Sequence, residues 1–369
     1  SGIGTEGTVF DGDITFDSLN YMTLPKGTTA QSNAVSSGIS SVTGAIRYNT
    51  DSNKMECFNG TQWMQIVVSE SAPIGGRYLI GGGWTSPADT NVISYVNTST
   101  KGNAIDFGDL IRAQRHASAL SNNIRGVWDG GYKTSAGGSN VIEYVTIATA
   151  GNTQDFGDSS ATYSSGSCAN TTRGILAGGY TSPSNLDTIE YITFTSTGDA
   201  TDFGNLTAAQ RDPWGTSTPT RGVFASGSPS NDNALQYITI ATTGNAVDFG
   251  DLTGTMDNAT YNKPAGCNGV IGLFGPGGGN INVDRVNMTT LGNAIEFASS
   301  DVYTTATNST TGSSDKLNYF IGSGRVSNTQ KSEIQTISFT TGGNAVDFGD
   351  NSNGATESPG ACCNAHGGL

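Results

Sequence analysis

The stretch Gly102-Asn103-Ala104-Ile105-Asp106-Phe107-Gly108-Asp109 decides the fold, because it comes back. It returns as Gly151-Asn152-Thr153-Gln154-Asp155-Phe156-Gly157-Asp158, then as Gly198-Asp199-Ala200-Thr201-Asp202-Phe203-Gly204-Asn205, and then as Gly244-Asn245-Ala246-Val247-Asp248-Phe249-Gly250-Asp251. A degenerate fifth copy reads Gly292-Asn293-Ala294-Ile295-Glu296-Phe297, and the sixth is Gly343-Asn344-Ala345-Val346-Asp347-Phe348-Gly349-Asp350. From Phe107 to Phe348 the phenylalanines step by 49, 47, 46, 48 and 51 residues. A period near fifty with β-type patterning marks a repeat architecture in which each copy is one supersecondary unit.

Working outward, each copy is preceded by a β-branched and aromatic run such as Val141-Ile142-Glu143-Tyr144-Val145-Thr146-Ile147, which favours a strand. The Gly-Asn between run and refrain reads as the positive-φ turn of a tight hairpin. Earlier comes a short apolar segment closed by glycines, as in Arg173-Gly174-Ile175-Leu176-Ala177-Gly178-Gly179-Tyr180. Before it lies a small-residue strand such as Gly166-Ser167-Cys168-Ala169-Asn170. These are strands A, B, C and D in chain order, D carrying the refrain. The Gly-Gly doublet closing strand B, followed by an aromatic, resembles a kelch repeat. The resemblance implies an all-β fold, a six-bladed kelch-like β-propeller over residues 74–369. The first blade starts at strand B. Residues 361–369 align without a gap on 167–175, so the C-terminal strand is expected to supply the missing strand A and cover an open sheet edge.

Residues 1–73 carry no refrain and read as a small N-terminal β module. Asp11–Phe16 suggests a turn and strand, and Leu24–Thr29 a loop. A three-stranded meander follows in Gly44-Ala45-Ile46-Arg47-Tyr48-Asn49-Thr50, Met55-Glu56-Cys57-Phe58 and Thr61-Gln62-Trp63-Met64-Gln65-Ile66. The Gly-x-Ile-Arg-Tyr-Asn-Thr start and the Asn-Gly-x-x-Trp ending resemble a module of tail fibres and other virion proteins of tailed bacteriophages. That resemblance implies attachment to other virion proteins through 1–73, a homotrimer, and a place on the particle, outside the cell.

Composition narrows the rest. The chain has 369 residues with 52 glycines, only 13% charged residues and a net charge of −14. An acidic chain is a poor partner for nucleic acid or an anionic membrane, which need a basic face. No run reaches the roughly 18 apolar residues of a membrane span. The five cysteines show no zinc spacing and read as small strand fillers. Neither His116 nor His366 stands near a nucleophile elbow, and no Tyr/Cys/His copper constellation appears, so no catalytic residue, metal or cofactor is assigned. The refrain carboxylates read as turn caps or partners of Arg77, Arg125, Arg173 and Arg221 within the same blade. Blade five departs from the pattern, with Ile271 in the arginine position and Arg285 in the place of a strand-C tyrosine.

The B–C and D–A loops vary from copy to copy, and variable loops on a rigid scaffold are where binding sites gather. They carry Trp84, Tyr132, Tyr163, Tyr180, Trp214, Tyr261 and Tyr303 among Asn, Asp and Ser. Aromatic rings beside polar groups suit stacking on sugars, so these seven are the candidate ligand-binding residues and a host-surface glycan is the candidate ligand. The chain is expected to enter at strand B, which turns this side away from the stem. Two other readings compete: a capsid or tail decoration protein without a receptor, and a secreted sugar-active enzyme.

Overall fold

The computed structural model describes residues 24–31, 43–52, 54–65, 76–229, 232–255, 264–276, 281–300, 307–326 and 329–369. The strand expected at 11–16 and the candidates Tyr261 and Tyr303 lie outside these residues. The chain divides into two compact units, Ser1–Ser71 and Ala72–Leu369.

In the smaller unit Ile46–Asn49, Lys54–Phe58 and Trp63–Gln65 form an antiparallel meander. Lys26–Gly27, read as loop, instead pairs in parallel with the first of them. Two backbone bonds hold it, Tyr48 N–H to Pro25 O at 2.9 Å and Thr50 N–H to Gly27 O at 3.0 Å. The motif residues make a polar knot. Glu56 accepts from Arg47 Nε at 2.9 Å and from Asn49 Nδ2 at 2.7 Å, and the Arg47 guanidinium lies 4.9 Å from the Trp63 ring. A buried carboxylate is tolerable here because both neighbours donate to it.

The larger unit is all-β and consists of small antiparallel sheets. Among the described residues five have four strands and one has five, with three two-stranded hairpins beside them. Sheet 2 shows the plan: Ser118–Ser121, Arg125–Asp129, Val141–Thr146 and Gln154–Asp158 pair in sequence order. Sheet 1 takes Gly360–Cys363 as its first strand, against Arg77–Gly81, followed by Val92–Asn97 and Ile105–Asp109. Sheets 3 to 6 follow in chain order and open with the A strands Gly166–Ala169, Trp214–Ser217, Ala265–Cys267 and Thr311–Ser314. The A strands of neighbouring sheets lie side by side from sheet 1 to sheet 6, and Thr311–Ser314 also lies against Gly360–Cys363 of sheet 1.

The cores lie between sheets. Six buried clusters each join two consecutive sheets. Sheets 6 and 1 meet through Phe320, Ile334 and Phe348 against Tyr78, Ile80 and Ala361. In every sheet the C–D pairing shifts at the refrain, leaving its phenylalanine in a bulge. The bulge sends Phe156 inward while Asp155 stays exposed.

The Gly-Asn of the refrain is not the hairpin turn. The turn lies earlier, where Thr149 N–H bonds Thr146 O at 3.2 Å. Gly-Asn instead stitches its sheet to the one before. Gly151 N–H donates to Phe107 O and Thr153 N–H to Asp109 O, both at 2.8 Å, and Asn152 Oδ1 accepts Asp109 N–H at 3.0 Å. The same stitch joins sheet 1 to sheet 6, with Gly102 N–H on Phe348 O at 3.0 Å and Asp350 N–H on Asn103 Oδ1 at 3.1 Å. The glycine of Asp-Phe-Gly is required by this contact: a Cβ on Gly108, at φ 149°, would sit 2.3 Å from Gly151 O.

The strand-B arginines do not pair with refrain carboxylates. Arg77 and Arg173 stack at 4.7 and 4.5 Å on Tyr95 and Tyr191 and reach a carbonyl of the next sheet, Ile147 O at 2.6 Å and Ile240 O at 3.0 Å. A planar fork that stacks and donates at once suits this bridge. In sheet 5 the arginine comes from strand C: Arg285 lies 5.4 Å from Phe297. The inner strands are also tied, since Ser121 Oγ donates to Cys363 O, Ser167 Oγ to Ala119 O and Ser217 Oγ to Ala169 O, each across a sheet boundary.

Candidate functional site

The site is a collar made where the B–C and D–A loops meet. In sheets 1 to 3 the glycine doublet ends strand B, and the next aromatic opens a hairpin. The hairpins are Trp84–Thr85 with Ala88–Asp89, Tyr132–Lys133 with Gly137–Gly138, and Tyr180–Thr181 with Ser184–Asn185. The D–A loop arrives beside each hairpin through one left-handed residue. His116, Ser164, Asp212, Ser309 and Ser358 have φ of 58°, 63°, 57°, 67° and 55°. Such backbone is uncommon outside glycine and needs surrounding support. The support is a relay of backbone bonds: Asp212 N–H to Ser164 O, Ser164 N–H to His116 O, His116 N–H to Ser358 O and Ser358 N–H to Ser309 O, at 2.7 to 3.0 Å.

The residue before each left-handed position then bridges the residue that opens the hairpin. Glu357 pairs with Trp84, Arg115 with Tyr132, Tyr163 with Tyr180 and Arg211 with Ser228. In sheet 6 Asn308 pairs with Arg325 in the same way. The side chains interleave. The Arg115 guanidinium lies 5.9 Å from the Trp84 ring and 5.2 Å from Tyr132. Tyr163 lies 5.4 Å from Tyr132 and 5.2 Å from Tyr180, and Arg211 follows at 5.6 Å from Tyr180. Trp84, Tyr132, Tyr163 and Tyr180 are all half-buried. The structure therefore brings four of the seven candidates into one contiguous arc.

Trp214 does not join them. It is 1% exposed and packs with Val223, Phe249 and Phe274 between sheets 4 and 5. It is the first residue of the inner strand Trp214–Ser217, paired with Ala225, and not a loop residue. The residues that sequence reasoning missed are Arg115, Arg211, Arg325 and Glu357. Three of them share a signal with Tyr163: Arg115, Tyr163, Arg211 and Glu357 stand three residues before the inner strand.

The bridging arginines and Glu357 lie beside opposite charges. Asp89 accepts from Arg115 Nη1 at 2.8 Å, and Thr134 Oγ1 lies 3.0 Å from the same nitrogen. Glu357 lies 3.5 Å from Arg325 Nε, Asp212 3.9 Å from Arg211 Nε, and Glu333 3.7 Å from Lys331 Nζ. Burial raises the Glu357 carboxyl, against the pull of Arg325 and Arg115. His116, buried beneath and flanked by Arg115 and Arg211, is held down to about 3, so it is a neutral imidazole. Asp129 ends strand B behind Tyr132. Burial pushes it up to about 6, although Ser159 and Ser165 both donate to it at 2.6 Å.

The inner strands line an open cavity of about 100 Å³ with Ser118, Ser167, Thr216 and Ser313 in its wall, reaching His366. Gly368 N–H donates to His366 Nδ1 at 3.1 Å, so Nε2 carries the proton and donates to Ser121 O at 2.7 Å. Burial lowers this histidine to about 4. Among the described residues no three His, Cys, Asp or Glu gather as a metal site, and no helix is long and apolar enough to cross a membrane. No protein-family model matches the chain, and no curated protein matches it in sequence.

Proposed function

We propose that residues 74–369 form a six-bladed kelch-like propeller and that the chain is a structural virion protein of a tailed bacteriophage. It acts as a tail-fibre or adhesin head that binds a neutral host-surface glycan through the collar. The observation that carries this reading is the arc Trp84–Arg115–Tyr132–Tyr163–Tyr180–Arg211. Rings give apolar faces with polar edges. The paired guanidinia and carboxylates give donors and acceptors side by side, which is what a hydroxylated, uncharged ligand needs. The repeat and its inter-sheet stitches support the propeller. The Ile46–Asn49 and Trp63 motif, joined through Arg47 and Glu56, supports the phage resemblance. The chain enters the first strand of the larger unit at Arg77, the end of strand B away from the collar. In this reading residues 1–73 attach to other virion proteins, as a homotrimer.

The test is binding of the intact protein to a panel of purified bacterial surface polysaccharides, beside a thermal melt for each variant. Trp84→Ala, Tyr132→Ala and Tyr180→Ala are expected to weaken binding by roughly 1–3 kcal/mol each if sugar stacking resembles base stacking. If these variants bind and melt like the parent, the collar is idle and the decoration-protein reading replaces this one.

A further inference from the structure

We infer that the collar takes an extended, uncharged polysaccharide chain along its length, several sugar residues at once, and not a single terminal sugar. This rests on the glycan-binding reading and specifies its ligand. A terminal sugar is held by a concave pocket with convergent polar groups. The collar has the opposite form. Its rings and guanidinia follow one another at 5.2 to 5.9 Å with no gap in the sequence Trp84, Arg115, Tyr132, Tyr163, Tyr180, Arg211. Tyr132 and Tyr163 meet at 63°, and Tyr163 and Tyr180 at 48°, so successive rings present alternating edges and tilted faces along a strip. Members of that strip come from sheets 1 to 4. A ligand using all of it must be a polymer.

Charge matching argues that the polymer is neutral. An anionic chain meeting Arg115 would compete with Asp89, which already accepts from it at 2.8 Å, and meeting Arg325 it would compete with Glu357 at 3.5 Å. A hydroxyl displaces neither. It accepts from the Arg115 Nε and Nη2 donors, which have no partner among the described residues, while Asp89 stays in place. The backbone is fixed beforehand by the left-handed residues and their relay, so little ordering cost falls on binding.

The experiment starts from the polysaccharide of the panel that the intact protein retains. Partial hydrolysis turns it into a ladder from disaccharide to octasaccharide, and each rung is titrated calorimetrically against the parent, Tyr163→Ala and Tyr163→Phe. Affinity is expected to climb at least tenfold between disaccharide and hexasaccharide, about 1.4 kcal/mol. Tyr163→Ala is expected to erase most of that climb and Tyr163→Phe to restore it, since stacking needs only the ring. Raising salt should leave the affinity unchanged, because no net charge is neutralised. A flat ladder overturns the extended-chain inference and leaves the glycan reading standing. Binding confined to acidic polymers and lost in salt overturns neutrality. Retention of no polysaccharide overturns both this inference and the reading it rests on.

Discussion

The outer edge of the larger unit and its collar solve the same problem in opposite ways. Both must join sheet to sheet. At the edge nearly the same side chains do it each time: Asn152, Asn245, Asn293 and Asn103 each accept one backbone N–H of the preceding sheet at 3.0 or 3.1 Å. At the collar the backbone path repeats, through a left-handed residue and a cross-loop bridge, yet the bridging side chain is Glu357, Arg115, Tyr163 or Arg211. Where side chains repeat, they hold the fold. Where the backbone repeats and the side chains diverge, the backbone path holds the fold and the side-chain chemistry differs from sheet to sheet. The variants below try to break that division.

The largest effect is expected from removing residues 358–369. This takes away Gly360–Cys363, leaves Arg77–Gly81 as an open edge, and removes Ala361, Cys363 and Ala365 from the core shared with sheet 6. The single cooperative melt should be lost and aggregation should follow. A truncated protein that melts like the parent would mean that the seam between sheets 6 and 1 contributes nothing.

Trp214 and Tyr180 come next, because both are aromatics that the sequence placed in one binding set. Trp214→Ala empties a buried site between sheets 4 and 5 and should cost about 3–5 kcal/mol. Tyr180→Ala removes a half-buried collar ring and should cost about 1 kcal/mol or less. Chemical denaturation measures both, and equal costs would erase the distinction between core and collar.

These two residues also show what the sequence discloses. Its period located the six refrains, and the gap-free alignment of 361–369 placed Cys362 opposite Leu79, as Cys168 stands opposite Ile175. Periodicity carries such facts because equivalent residues do equivalent work. It could not say that Gly-Asn serves the neighbouring copy. The same two residues suit a tight turn, and the true partner of Asn152 lies 43 residues away. Trp214 reads as a loop residue in the sequence because the inner strand begins there, where sheets 2 and 3 have Ser118 and Gly166, and no residue type marks that start. Arg115 and Arg211 carry no signal in residue type; theirs is a position, the one before a left-handed residue.

A smaller effect is expected within one refrain. Gly157→Ala places a Cβ 2.3 Å from Gly198 O, where the stitch to sheet 3 passes, whereas a Cβ on Gly151 meets nothing within 4 Å. Both positions have positive φ, so both substitutions strain the backbone, by about 1–2 kcal/mol. The clash should add about 1–3 kcal/mol at Gly157 alone, as overpacking does elsewhere. Thermal melts of the pair isolate the stitch, and identical melts would show that it yields without cost.

The smallest effect lies where edge and collar meet, at Asp129. It stands in the place of Ala177 and Ala225 at the end of strand B, bonded by Ser159 and Ser165 of the D–A loop that leads to sheet 3. Burial raises it to about 6 from an ordinary 3.8, so the folded protein binds this proton at a pH where the unfolded chain has released it. Stability from this group therefore grows as pH falls from about 6 to about 4, and its charge is a burden above 6. Asp129→Asn removes the burden. The variant should exceed the parent by about 1–2 kcal/mol near pH 8, with the gap closing near pH 4. Only the difference between the two proteins is diagnostic. His116 and His366, held down to about 3 and about 4, make both lose stability as the unfolded histidines take up protons below about 6.5. A gap that stays constant with pH would mean that Asp129 is not charged at pH 8, and that the two hydroxyls hold a neutral acid at the root of the collar.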